Sequence, residues 1–364
     1  MPNPKTNQIR VIQPGPMTLV QDRGRTGYQQ LGVSVSGAVD SDALDIGNRL
    51  VGNDPNAAGI EVMLGGLEIE FTRPTVVAIT GADPGATLDG VPVATNVSYV
   101  AHDGAVMRLG MIASGLRAYV SLAGGIKTDQ ILNSRSTHVA SEIGGIAGRA
   151  LAQGDELELG ESTSDVVSGT LFENEDFAIA GGDLTVRVVL GPQDDEFSAA
   201  GIETLVNSTY TVSDQSNRQG LRLDGPVIES KSGRYDIISD AVVNGSVQVP
   251  GDGKPIILLA DRQTTGGYAK IATVSTIDLP KLGQASPGTR ISFEVISVEQ
   301  AQDLLVTKNQ MIQDSELVQV VESMVVRVDD EDVAVGVAEK EDIRLAAIDG
   351  DIYPISVEVY SPAE

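Results

Sequence analysis

The sequence predicts a mainly β protein with a few short helices, folded into closed or nearly closed barrels and followed by a small acidic C-terminal extension. Short apolar or alternating runs recur between turn residues, and only a few stretches carry the period of a helix. Many short strands leave many edges, and closing the sheets removes edges that would otherwise recruit other chains. At 364 residues the chain is long enough for two packed domains and a short appendage.

From the N-terminus, Arg10-Val11-Ile12 and Met17-Thr18-Leu19-Val20 read as strands around the turn Gln13-Pro14-Gly15-Pro16. A charged glycine loop follows, Gln21-Asp22-Arg23-Gly24-Arg25-Thr26-Gly27-Tyr28. The clearest helix comes next. Asp40 or Ser41 caps it, Ala43, Ile46, Gly47 and Leu50 share one face, and Gly52 with Pro55 stops it. Residues 67 to 71 alternate, residues 76 to 79 form a buried run, and Asp89-Gly90 between Leu88 and Val91 is a hairpin turn. Over residues 116 to 122 a period of two puts Leu116, Ala118, Val120 and Leu122 on one face. It leaves Arg117, Tyr119 and Ser121 on the other, polar face.

Gly144-Gly145-Ile146-Ala147-Gly148-Arg149 suits a tight turn better than a phosphate nest, because no strand-to-helix context surrounds it. Residues 161 to 183 are acidic and weakly periodic, which marks a boundary. The expected division is a first domain at 5–165, a second at 184–300, and an acidic, β-rich extension at 301–364. The second domain opens with a strand over residues 185 to 190 and a short helix over 199 to 206 that Ser198 can cap. A polar loop, residues 213 to 220, leads into alternating Leu221-Arg222-Leu223.

The stretch Asp261-Arg262-Gln263-Thr264-Thr265-Gly266-Gly267-Tyr268-Ala269-Lys270 lies between two buried-strand runs, residues 256 to 260 and 271 to 274. It is expected as a rigid hairpin. An acid, two bases, an amide, two hydroxyls and a phenol gather where a plain turn would need only Gly266-Gly267. Its order of residue types, Asp-Arg and then Thr-Gly-Tyr, echoes the loop at Asp22-Arg23 and Thr26-Gly27-Tyr28.

Composition narrows the function. The formal net charge of -26 disfavours nucleic acid and anionic membrane as partners, since both reward clustered Lys and Arg. No run of roughly 18 or more apolar residues is present to span a bilayer, and the first residues lack the apolar core of a secretory signal, so a cytoplasmic protein is expected. The absence of cysteine rules out disulfides, thiolate metal sites and cysteine nucleophiles. Many acids with few lysines is what a salt-rich cytoplasm favours, because screening removes self-repulsion. There is no Walker loop, no Gly-x-Ser-x-Gly elbow and no lysine between methionines as in a biotin carrier. His102 and His138 are far apart and lack a partner at metal-ligand spacing, so no metal site is expected.

The loop at Gln21 to Tyr28 is followed by Gly32-Val33 to Ser36-Gly37-Ala38-Val39-Asp40 and Ala43-Leu44 to Asn48-Arg49-Leu50-Val51-Gly52-Asn53. Further on come Gly115 to Tyr119, Gly124-Gly125-Ile126, Ser134 to Thr137, Gly191-Pro192-Gln193, Val247 to Pro250, Asp261 to Lys270 and Pro287-Gly288. In this order the motifs resemble the biotin-dependent carboxyltransferase-like family, whose members are also named as the C subunit of 5-oxoprolinase and the second subunit of allophanate hydrolase. The resemblance runs from Ile9 to Ser297. It implies two cyclophilin-like β-barrel domains side by side. It also implies a partner chain, the family's B subunit, and in the oxoprolinase assembly an A subunit as well. There, opening of 5-oxoproline to glutamate is driven by ATP with its Mg. In the urea carboxylase relatives the equivalent region transfers a carboxyl group from biotin carried on another chain. Ala269 stands where the family pattern has proline, and residues after Ser297 fall outside that pattern.

Both reactions activate an amide or ureide through an oxyanion, which preorganised donors in a dry pocket stabilise by several kcal/mol. Arg262, Gln263, Thr264 and Thr265 are the expected donors. Asp261 orients Arg262 or accepts a proton, and Lys270 meets a carboxylate or phosphate as a point charge. Gly266, Gly267 and Tyr268 complete the loop. Arg218 and Gln219 join Asp22, Arg23, Arg25 and Tyr28 as a second tier, and Arg117 and Tyr119 form a third. Three functions are open at this point: a component of an ATP-dependent oxoprolinase acting on a small lactam, a carboxyltransferase for urea or a related amide, or a non-catalytic regulator of its sister subunit.

Overall fold

A computed structural model of the chain describes residues 8–162, 170–172, 182–315, 317–328, 331–340, 343–348 and 351–355. The first half comprises β1 (Gln8–Pro14), β2 (Met17–Gln21), α1 (Ser41–Leu50), β3 (Gly59–Met63), β4 (Leu67–Phe71) and β5 (Thr75–Gly81). It continues with β6 (Thr87–Leu88), β7 (Val91–Pro92), β8 (Ser98–Ala101), β9 (Val106–Arg108), β10 (Arg117–Leu122) and β11 (Glu156–Glu158). Two sheets result, in the orders β11-β1-β4-β9-β6-β7 and β2-β3-β10-β5-β8. They close over one core in which Ile9, Ile69 and Phe71 of the first sheet meet Ile60, Ile79 and Val120 of the second.

Helix α1 starts where the sequence predicts, with the Asp40 carboxylate accepting from the Ala43 N–H at 3.0 Å. It covers the outer face of the second sheet: Ile46 and Leu50 pack with Ala78 and Ala123, while Ala43 and Leu44 pack with Tyr119. Gly47 permits this approach, since a Cβ there would stand 2.6 Å from Ser121 Oγ. The polar face expected for Arg117, Tyr119 and Ser121 is therefore not a solvent face. All six residues of β10 are buried, because the helix and the second half of the chain cover the side that alternation left open.

The second half begins with β12 (Thr170–Phe172), β13 (Leu184–Leu190), α2 (Ala199–Asn207), β14 (Thr209–Val212), β15 (Gly220–Asp224), β16 (Asp236–Ala241), β17 (Ser246–Gln248) and β18 (Ile256–Leu258). Then come β19 (Thr265–Tyr268), β20 (Lys270–Val274), α3 (Leu279–Gly283), β21 (Arg290–Val295) and α4 (Val298–Asp314). Seven of these strands close into a barrel in the order β13-β20-β17-β18-β15-β14-β21, around Val186, Val188, Tyr210, Val247, Ile257 and Ile271. The overall architecture, mainly β with a few helices and a closed barrel, is the predicted one.

Two local expectations fail. The stretch from Asp261 to Lys270 is not a hairpin, because β17 lies between β18 and β20 and pairs with both. The segment crosses over that strand instead, and its second part forms β19, which pairs with β16 in a separate two-stranded ribbon. Gly266 and Gly267 are thus strand residues rather than a turn. The other failure is confined to the start of the C-terminal extension, which is β-rich as expected only from residue 317 on. It opens with the 17-residue helix α4, capped by Ser297 and Gln300 in a reciprocal capping box, before β22 (Leu317–Val328), β23 (Glu331–Lys340), β24 (Ile343–Ile348) and β25 (Asp351–Ile355).

These strands form one sheet with β12 from the connection between the halves, in the order β12-β22-β23-β24-β25. The expected boundary at 161–183 falls largely on residues 163–169 and 173–181, outside the described residues. Among the described residues no helix is long and apolar enough to cross a membrane.

Candidate active site

The two halves meet where the Asp22 loop faces the Asp261 segment. Ser36 N–H donates to the Ala260 carbonyl at 3.1 Å, Ser34 Oγ donates to the Arg262 carbonyl at 2.7 Å, and His138 Nε2 lies 3.4 Å from the Asp261 carbonyl. Both aspartates of the echoed Asp-Arg pair are buried, Asp22 at 2 % and Asp261 at 7 % exposure. Their arginines differ. Arg262 is buried, whereas Arg23 is exposed and pairs with Asp45 of α1 at 2.9 Å.

Arg218 is the hub of the junction. Its Nε and Nη2 donate to the two carboxylate oxygens of Asp261 at 2.8 and 3.0 Å, Nη2 also donates to the Gly37 carbonyl at 2.7 Å, and Nη1 donates to Glu61 Oε1. Burial works against its charge, but Glu61 and Asp261 outweigh that cost and raise its pKa. Glu61 in turn accepts from Tyr119 Oη at 2.7 Å and from the Val39 N–H at 3.1 Å, with Arg117 Nε at 3.5 Å. Tyr119, pressed by burial and by the Glu61 charge, has its pKa held well above the usual phenol value, so it donates to Glu61 as a neutral hydroxyl.

A second contact runs through the end of α3. Gln284 Oε1 accepts from the Leu116 and Arg117 N–H groups at 3.1 and 3.0 Å, and its Nε2 donates to Asp40 Oδ2 at 2.7 Å. Arg117 Nη1 donates to the Gly283 carbonyl. Burial, and then the charge of Asp42, push Asp40 up to about 7. Arg117 and Tyr119 therefore sit at the seam between the halves, as buried supports rather than on an open binding face.

The first-half loops build a pocket of donors around Asp22, whose carboxylate accepts from Gly24 N–H (2.8 Å), Ser134 Oγ (2.7 Å), Arg135 N–H (2.6 Å) and Ser136 Oγ. Arg25, 1 % exposed, donates to the Ser136 carbonyl through Nη2, while its Nε and Nη1 are buried without a partner among the described residues. Arg262 Nη1 donates to the Leu259 carbonyl at 3.2 Å, and its Nε is likewise buried without such a partner. Burial lowers the pKa of both arginines, opposed by Asp22 and Asp261 at Arg25 and by Asp261 at Arg262.

Other candidates lie around this junction or away from it. Tyr28 is half-buried and its Oη accepts from Asn133 Nδ2 at 2.9 Å. Gln219 and Gln263 are exposed. Thr265, Gly266 and Tyr268 pair with Ala241, Asp240 and Asp236 of β16, and the Thr264 carbonyl accepts from the Val242 N–H at 3.1 Å. Lys270 belongs to a different cluster: buried at 2 %, it pairs with Asp240 Oδ2 at 2.8 Å, beside Gln193, whose Oε1 accepts from the Lys270 N–H at 3.1 Å.

Glu61, Ser134, Ser136 and His138 join the site without having been expected there. Glu61 had a signal: in Gly59-Ile60-Glu61-Val62-Met63 it is the one acid in an apolar strand, and an acid there must find a partner when buried.

The carboxyltransferase domain family, subdomain A and B, matches residues 31–295. The C subunit of 5-oxoprolinase from Escherichia coli K12 is 38 % identical over 298 residues, covering 80 % of this chain and 93 % of that protein. The urea amidolyase of Saccharomyces cerevisiae is 33 % identical over 81 % of this chain, which spans 17 % of it. Among solved structures, the K. lactis urea amidolyase superposes with a TM-score of 0.82 at 27 % identity, over 94 % of this chain and 23 % of that much longer one.

Proposed function

The chain belongs to the carboxyltransferase domain family, subdomain A and B, and from that premise we propose that it is one component of an ATP-dependent 5-oxoprolinase that opens 5-oxoproline to glutamate. The observation that carries this is the extent of the match, 93 % of a 5-oxoprolinase C subunit at 38 % identity. The chain acts, in this proposal, with the B subunit and the A subunit of such an assembly. ATP with its Mg enters at the level of the complex, since this sequence has no Walker loop.

The junction chemistry suits that role. Loss of the lactam N–H proton places negative charge on the ring oxygen, which then takes a phosphoryl group from ATP as ADP leaves; water adds to the activated carbon, the ring C–N bond breaks and phosphate is released. A buried guanidinium in a low-dielectric site stabilises such charge more than water does. Arg262, whose Nε–H is unpaired among the described residues, is the group we assign to the lactam oxygen. Asp261 and Arg218 fix the backbone that carries it, because Arg218 clamps Asp261 to Glu61 and Gly37 of the other half. Thr264, Thr265 and Gln263, at the root of the β16–β19 ribbon, line the approach.

A test is ATP hydrolysis and glutamate release by the co-expressed subunits. Arg262→Ala should lower kcat by roughly a hundredfold or more, the usual effect of removing one oxyanion donor, while the subunits still copurify. Full activity would remove Arg262 from the chemistry.

A second proposal rests on the superposition with the K. lactis urea amidolyase over 94 % of this chain: a carboxyltransferase for urea or a related amide, with biotin on another chain. Carboxylation of urea by the complex, without ATP-dependent turnover of 5-oxoproline, would favour it. A third role, regulation of the sister subunit without chemistry, gains if changes at Asp261 or Arg262 alter association and leave turnover intact.

A further inference from the structure

Below about pH 7 the junction carries more buried positive charge than its own carboxylates balance. Arg25, Arg117, Arg218 and Arg262 are gathered there with Asp22, Asp40, Glu61 and Asp261, and Asp40, pushed up to about 7, is protonated below that pH. The carboxylates are also taken. Asp261 is held on both oxygens by Arg218, Glu61 by Arg218 and Tyr119, and Asp22 by four donors, none of them Arg25. This happens in a chain whose net charge is -26. A buried charge without a partner costs several kcal/mol, so an uncompensated arginine is retained where something else brings the counter-charge. A positive spot in an acidic molecule also focuses anions toward itself.

Arg25 is where the surplus concentrates. Two of its three nitrogens, Nε and Nη1, are buried without a partner among the described residues, and the third is held by the Ser136 carbonyl, which keeps the group in place. The next residue, Thr26, is exposed, as is Gln263 after Arg262. Both feel the same acid, Asp261, from opposite halves of the chain.

We propose that Arg25 binds the carboxylate of the substrate while Arg262 faces its lactam oxygen, which makes Arg25 the residue that selects a carboxylate-bearing lactam over a neutral amide. This rests on the oxoprolinase proposal for the substrate, but the seat itself is defined by the junction. Guanidinium and carboxylate make charge-assisted hydrogen bonds of the stronger kind, and a carboxylate two bonds from the ring nitrogen takes no part in ring opening. Its contribution is equal in the ground and transition states and appears in KM rather than kcat.

The experiment uses the full chain assembled with its sister subunits, titrated calorimetrically with 5-oxoproline, with 2-pyrrolidinone, which is the same lactam without the carboxylate, and with inorganic phosphate. 5-Oxoproline should bind at least tenfold more tightly than 2-pyrrolidinone. Arg25→Gln should weaken 5-oxoproline by about tenfold to a hundredfold, the scale of hydrogen bonds to a charged group, and leave 2-pyrrolidinone unchanged. In turnover it should raise KM with kcat nearly intact, the opposite of Arg262→Ala. Equal binding of the two lactams by the parent complex overturns the proposal and needs no variant, so it holds even if Arg25→Gln fails to fold. Parent-like affinity in a folded Arg25→Gln complex overturns it too, as does binding of phosphate without 5-oxoproline. A complex that binds 5-oxoproline through Arg25 but never couples it to ATP keeps the seat and ends the oxoprolinase proposal. Turnover of 5-oxoproline with an unchanged KM in the variant ends the seat and keeps that proposal.

Discussion

At the scale of residues, the junction stores its stability in a few buried charges. Arg218 is the counter-ion of two carboxylates, one from each half. Arg218→Ala leaves Glu61 and Asp261 buried without it and should cost roughly 3–5 kcal/mol, the usual effect of breaking a buried pair by removing one side. Denaturant unfolding of the full chain measures this, and a loss below about 1 kcal/mol would show that solvent reaches the site. Asp40 sets a pH dependence. Its pKa is raised from the ordinary carboxylate range to about 7, so the folded chain holds a proton there that the unfolded chain releases near pH 4. Its contribution to stability is full below about pH 4 and is lost as pH rises through about 7. Asp40→Asn keeps the acceptor that caps α1 and removes the proton. The stability of the parent relative to this variant should therefore fall between about pH 4 and pH 7 and level off above; a difference that stays flat would place Asp40 in contact with solvent.

Among the elements, α4 shows how residues beyond the family match are tied in. Arg49 of α1 donates to the carbonyls of Ile312, Gln313 and Ser315 at the C-terminal end of α4, where the helix dipole favours a cation. Lys308 of α4 pairs with Asp42 of α1, and its ammonium also donates to the Ile277 carbonyl in the second half. The helix thus spans both halves. Arg49→Ala should loosen it by about 1–3 kcal/mol, given hydrogen bonds from a charged donor. Hydrogen exchange would read this as lost amide protection over residues 302 to 314, with the barrel strands unchanged. Equal loss in both places would mean that α4 and the barrel open together. The helix also carries a signal in its sequence, since Ser297 followed by Gln300 is a capping box. The acidic composition around it hid that local pattern.

For the whole molecule, the excess of 51 acidic over 25 basic residues governs the response to salt. Self-repulsion of this kind weakens as the Debye length falls from about 10 Å at 0.1 M to about 3 Å at 1 M. The melting temperature should therefore rise with added potassium chloride over that range. A melting temperature that stays constant or falls would remove the case for a salt-adapted surface.

The sequence alone determined what depends on near neighbours. The cap at Asp40, the cap at Ser198, the Asp89-Gly90 turn and the alternating strands are legible because period and hydrogen-bonding geometry act within a few residues. The order of the glycine and charge motifs also carried the family likeness. Only the tertiary structure decided which charges meet. Glu61 and Arg218 are 157 residues apart, β17 separates two strands that look like a hairpin, and β10 is covered on the face that alternation leaves open. A period of two tells which residues share a face, but the element that packs against that face, and the counter-charge it brings, comes from distant parts of the chain.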